Sequence, residues 1–150
     1  MAEPSEYLNH PVLGNLGWLP EYSHWFTQLR LPSGEWLDVI VDPGNTDQFE
    51  FLPRAAELFQ WAMANERRML ADAIRAELLE LYNHTWRQSD DPILSGEELT
   101  SRLDWQLLSV SENDIVPVEF SYGAGELFGY HGVTVEVDAE LKFRDIDLRG

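Results

Sequence analysis

The stretch HWFTQLRLPSGEWLDVIVD, residues 24–42, decides the fold class. Trp25, Thr27, Leu29 and Leu31 alternate with Phe26, Gln28 and Arg30, the two-residue period of a strand with one face buried. Pro32-Ser33-Gly34 carries a turn signal. Beyond it, Leu37, Val39 and Val41 oppose Trp36, Asp38, Ile40 and Asp42. Two such runs joined by a short glycine-containing turn predict a β-hairpin. Asp42-Pro43-Gly44-Asn45 ends it.

On the N-terminal side, Leu16 and Trp18 alternate until Pro20 and Glu21 break the run. Residues 1–12 show no periodicity and predict an irregular arm ahead of one domain over residues 13–150. On the C-terminal side the period changes. Residues 46–86 read as helical, with Ala55, Leu58, Phe59, Ala62 and Met63 on one stripe. Leu70, Ile74, Leu78 and Leu81 make a second stripe, with Met69 and Leu79 beside it. Pro53 suits a first helical turn. Asn65 is compatible with one long helix over 53–86 or with a break into two. RQSDDPIL at 87–94 is a loop, and Ser95 with Glu98 fits a capping box that opens a short helix near 96–103.

Alternation returns at Trp105–Val110, Val116–Phe120 and Val133–Val137, with Asp138-Ala139-Glu140 as a further hairpin turn. Strands, helices and strands in that order predict an α+β fold. Its sheet is largely antiparallel, built from the N-terminal hairpin and the C-terminal strands, and two or three helices inserted between them pack on one face. Trp18, Trp25, Trp36 and Trp105 on strands, Trp61 on the first helix and Trp86 at the end of the second are core candidates. One or two of them remain available as exposed interface anchors.

The chain carries 27 acidic and 10 basic residues, a net charge of −17. The excess is distributed: eight acids and one base in residues 1–50, nine and five in 51–100, ten and four in 101–150. With 44% hydrophobic and 12% aromatic residues this is a folded domain with an acidic surface, not a disordered tail. Such a surface argues against nucleic acid and anionic membrane as partners, because both need clustered Lys and Arg. It favours a basic protein, or mimicry of a polyanion. The absence of cysteine excludes disulfides, zinc–thiolate sites, iron–sulfur clusters and thiol nucleophiles. The N-terminus lacks the pattern of a signal peptide, and no window approaches the about 18 apolar residues of a membrane span, so the expected location is the cytoplasm.

No catalytic motif or phosphate-binding loop is present, so the expected cofactor and metal content is none. His10, His24, His84 and His131 show no metal-ligand spacing. The segment Gly123-Ala124-Gly125-Glu126-Leu127-Phe128-Gly129-Tyr130-His131-Gly132 places four glycines in ten residues. Its structural reading is a loop or bulge between strands; its functional reading is a small site with Glu126, Phe128, Tyr130 and His131. Asp90, Asp91, Glu97 and Glu98 flank Pro92-Ile93-Leu94 as an acidic cluster. That cluster reads as a solvated loop with a favourable helix N-terminus, or as a partner contact.

The run from Phe120 to Val135 and the ending Asp145-Ile146-Asp147-Leu148-Arg149-Gly150 resemble the closing part of the bacterial domain of unknown function 2262. Glu77-Leu78-Leu79-Glu80-Leu81-Tyr82-Asn83, Trp86 and Leu94-Ser95-Gly96-Glu97-Glu98-Leu99 fit its middle, so the resemblance covers residues 50–150. It implies a stand-alone bacterial protein of the cytosol and brings no activity with it. Three functions are carried forward. The first is an acidic interaction protein that binds a basic protein, by analogy of size and charge an immunity-type inhibitor of a cationic toxin. The second is a small enzyme or ligand-binding domain around Glu126 and His131. The third is a DNA mimic.

Overall fold

The computed structural model describes residues 3–150; Met1 and Ala2 of the expected arm lie outside them. Eight strands form one sheet in chain order: β1 (Glu6–His10), β2 (Gly14–Leu19), β3 (His24–Arg30), β4 (Trp36–Asp42), β5 (Asp104–Ser111), β6 (Val118–Gly123), β7 (Gly132–Val137) and β8 (Phe143–Arg149). Every neighbouring pair is antiparallel except β4 and β5, which run parallel with Val39 opposite Leu108 and Val41 opposite Val110. A parallel pair cannot be closed by a tight turn. The whole helical segment is therefore the crossover between two four-stranded antiparallel halves, and the α+β expectation holds.

That segment starts with α1 (Leu52–Ala73), which has Pro53 in its first turn. Asp47 organises the approach by accepting from the Phe49 and Glu50 amides. Helical geometry continues through a π turn, π1 (Ile74–Leu78), a short α2 (Leu79–Leu81) and a second π turn, π2 (Tyr82–Trp86). There is no break at Asn65, whose side chain donates to the Trp61 carbonyl within the helix at 2.8 Å. Leu70, Ile74, Leu78, Tyr82 and Trp86 recur every four residues. Four residues overshoot a 3.6-residue turn by about 40° each time, so a pure α-helix would carry this row off the core. The i→i−5 bonds Leu79 N–H to Ile74 O and Arg87 N–H to Tyr82 O unwind the helix and return the row to the sheet. Tyr82, 3% exposed, ends the buried stripe, while Leu81 is only half-buried. Helix α3 (Gly96–Ser101) has the expected capping box: Glu98 N–H donates to Ser95 Oγ, and Ser95 N–H to Glu98 Oε1.

The lead expected to be irregular contains β1. Leu8 is paired with Leu16 and packs against the core, so an edge strand with a single core residue shows no period in sequence. The turn into β2 is fixed by His10, whose Nδ1 accepts from the Val12 and Leu13 amides at 3.1 and 3.2 Å.

The core lies on one face of the sheet, under the helices, and its largest fully buried side chains are Trp25, Phe120 and Phe128. On the other face one register row crosses all eight strands: Tyr7, Gly17, Phe26, Ile40, Ser109, Glu119, Glu136 and Asp145. This face also carries Trp36, one of the expected core tryptophans; it is 56% exposed, with the Arg30 guanidinium carbon 4.5 Å from its ring centroid. Alternation with buried Leu37 puts it there. Replacing Phe120 by Ala is expected to remove about 3–5 kcal/mol of stability. Trp36→Ala should cost less than about 1 kcal/mol. Urea unfolding followed by far-ultraviolet circular dichroism measures both.

Candidate functional site

The glycine-rich segment joins β6 to β7 through successive tight turns: Leu127 N–H to Ala124 O, Gly129 N–H to Glu126 O, and His131 N–H to Phe128 O. Three residues in it have left-handed backbone: Gly125 (φ 53°), Gly129 (φ 60°) and Tyr130 (φ 67°). For Gly129 the requirement is double, because a Cβ there would lie 2.9 Å from Trp86 Cζ3. The loop is anchored by Phe128, wholly buried with its ring centroid 5.8 Å from that of Tyr82 and 6.2 Å from that of Trp86, both edge-on. The four-residue row that produces the π turns therefore also supplies the aromatic seat for this loop.

A cleft of about 520 Å³ opens between this loop, π2, the 87–95 loop and the end of α3. Tyr82 and Trp86 line it together with Asp91, Arg102, Glu126 and Tyr130. Asp91 is held in position by its own loop. Arg87 Nη1 donates to the Asp91 carbonyl at 2.7 Å, and the Asn83 amide clamps Leu94 by bonds to both its N–H and its C=O. Tyr130 is 76% exposed and donates its hydroxyl to Glu126 Oε1 at 2.9 Å. That hydrogen bond to Glu126 raises the phenol's pKa.

Of the residues singled out from sequence, Asp91, Glu126 and Tyr130 converge on this cleft. Phe128 lies beneath the loop. His131 is half-buried and makes no hydrogen bond to Glu126: its Nδ1 donates to the Phe128 carbonyl at 2.8 Å, its ring sits 5.8 Å from Trp86, and it does not line the cleft. Asp90 is exposed and does not line it either. Glu97 faces a different depression, on the far side of α3 beside Arg67 and Ile74. Glu98 is committed to the capping box, where the Ser95 N–H holds its carboxylate below the ordinary range. Two cleft contributors have no advance signal as site residues: Arg102, just past α3, and Trp86, read as core. Among the six tryptophans nothing singled out Trp86, and nothing local pointed to Arg102.

Two carboxylates, a guanidinium and an anchored phenol surround an aromatic floor. Among the described residues no group of three or more His, Asp or Glu side chains is placed to hold a metal ion, and no helix is long and apolar enough to cross a membrane.

Fold and cleft together define an α+β domain whose single sheet is split by a long helical crossover and bears an aromatic-floored surface cleft. A family model described as an uncharacterized protein conserved in bacteria (DUF2262) matches residues 11–148, and the chain belongs to that family. No curated protein and no solved structure matches the chain.

Gly125→Ala meets open space and should lose only the left-handed backbone penalty of about 1–2 kcal/mol. Gly129→Ala adds the collision with Trp86 and should be the less stable of the two in parallel thermal melts. For Glu98, the lowered pKa means that the cap's contribution is complete above the ordinary carboxylate range and disappears as pH falls through the lowered value. The stability gap between the wild type and Glu98→Ala should therefore be widest near neutrality and narrow in acid, as read by unfolding midpoints across pH.

Proposed function

We propose that the protein is an acidic interaction module that captures a basic protein, with Tyr130, Glu126 and Asp91 at the cleft as its anchor. One observation carries the reading. Tyr130 adopts a backbone conformation that bulky residues avoid, and that geometry holds its ring in solvent with the hydroxyl tied to a carboxylate. Strain retained at an exposed aromatic is more economically understood as presentation than as packing. Tyrosine is also among the side chains that most often dominate interface energetics. A net charge of −17 adds long-range attraction for a cationic partner and accelerates encounter at low ionic strength. Inhibition of a cationic toxin, in the manner of an immunity protein, is the biological form this module would take.

The two other readings have weaker support. An enzyme using Glu126 with His131 loses its pair, because the imidazole turns toward Trp86. A DNA mimic needs an unbroken line of negative charge. On the open sheet face Arg144 pairs with Glu136, and Arg149 pairs with Glu119 and Asp147, which interrupts the row.

The test is affinity capture from a source bacterium with wild type, Tyr130→Ala and Glu126→Gln, each at low and high salt. The expected result is a basic protein retained by wild type at low salt, released at high salt, and retained about tenfold less by Tyr130→Ala. If no basic protein distinguishes wild type from the variants, the proposal fails.

A further inference from the structure

A second cleft, of about 370 Å³, lies between the middle of α1, the segment following α3 and the β3–β4 turn. At its wall Tyr122, 3% exposed, donates its hydroxyl to Glu66 Oε2 at 2.6 Å, a bond between residues 56 positions apart. Burial, with Glu66 adding to it, pushes the phenol well above its ordinary range, so it remains a donor. Oε1 of Glu66 has no protein donor among the described residues. Glu35 and Asp104 add two carboxylates to the lining, and Leu70 and Leu103 supply buried apolar floor.

Arg67 lines the same cleft. Arg54, Arg75, Lys142, Arg144 and Arg149 each lie within 4 Å of a carboxylate. Arg67, like Arg30, Arg68, Arg87 and Arg102, has no such partner among the described residues, and three carboxylates line the cleft with it. The cleft thus holds both signs of charge without pairing them to each other, over an apolar floor. A guanidinium fork matches a carboxylate, and an ammonium with three donors matches a cluster of carboxylate oxygens. The volume falls within the range of small-molecule sites, about 300–1,000 Å³.

We propose that this cleft binds a small zwitterion of the α-amino acid class, with its carboxylate on Arg67, its ammonium toward Glu66 and Asp104, and its side group over Leu70 and Leu103. The site is separate from the Tyr130 cleft, and the proposal does not rest on partner capture there.

The experiment is a ¹H–¹⁵N chemical-shift titration of the intact chain with each of the common α-amino acids. The best binder is then compared with its deaminated carboxylic acid and its decarboxylated amine. The expected result is saturable binding of at least one amino acid, with shifts centred on the amides of residues 66–71 and 100–105 and weaker binding of both single-charge analogues. Arg67→Gln is a surface change, and Glu66→Gln keeps an acceptor for Tyr122, so neither should disturb the fold. Arg67→Gln should weaken the amino acid about tenfold and leave the amine analogue unchanged, while Glu66→Gln should weaken the amino acid and leave the acid analogue unchanged. Absence of saturable binding by any amino acid overturns the proposal. So does a single-charge analogue that binds as tightly as the zwitterion, or full affinity in both variants.

Discussion

Val39 and Val41 of β4 face Leu108 and Val110 of β5 in the one parallel pairing of the sheet, and the rest of the architecture follows from it. Antiparallel neighbours close through short turns, as β3 and β4 do through Pro32-Ser33-Gly34. A parallel neighbour requires the chain to travel the length of the sheet again before it re-enters. Here that return is the helical segment from Leu52 to Trp86, and its buried stripe covers the face that carries Trp25, Phe120 and Val135. The other face keeps its alternating polar and aromatic residues, because every connection outside the crossover is a turn too short to cover it.

The crossover also sets the position of the Tyr130 cleft. The four-residue row from Leu70 to Trp86 departs from α-helical period, and the two π turns absorb the mismatch. This keeps Tyr82 and Trp86 over the sheet's end, where they receive Phe128. Gly129 must then pass against the Trp86 ring without a Cβ, and the next residue, Tyr130, is turned outward in left-handed backbone. The exposed tyrosine is thus linked through a short chain of contacts to a spacing already visible in the helix sequence. π turns recur at functional sites in other proteins for the same mechanical reason: they aim side chains that a regular helix would point elsewhere.

Much of this was legible in the sequence. The hairpin over 24–42, the Ser95–Glu98 capping box and the turn at Asp138 rest on local rules, and each stands as read. The chemistry-bearing residues divided. Asp91, Glu126 and Tyr130 meet at one cleft, whereas Glu98 is consumed by its cap and His131 by the Phe128 carbonyl. The segment 123–132 was recognisable as a place where backbone approaches something closely, but the thing approached, Trp86, belongs to another element. Strand β1 escaped notice because one core-facing leucine makes no period.

The sequence alone determined the α+β class, the hairpin over 24–42, the turn at Asp138, the Ser95–Glu98 cap and the net charge of −17, since period, turn chemistry and charge are properties of neighbouring residues. Only the tertiary structure decided that β4 and β5 run parallel and that the helix is continuous through two π turns. It also decided that Asp91, Arg102 and Glu126 share one cleft and that Tyr122 meets Glu66 across 56 positions. These are contacts between distant segments, and they form only when burial of one common core brings the segments together.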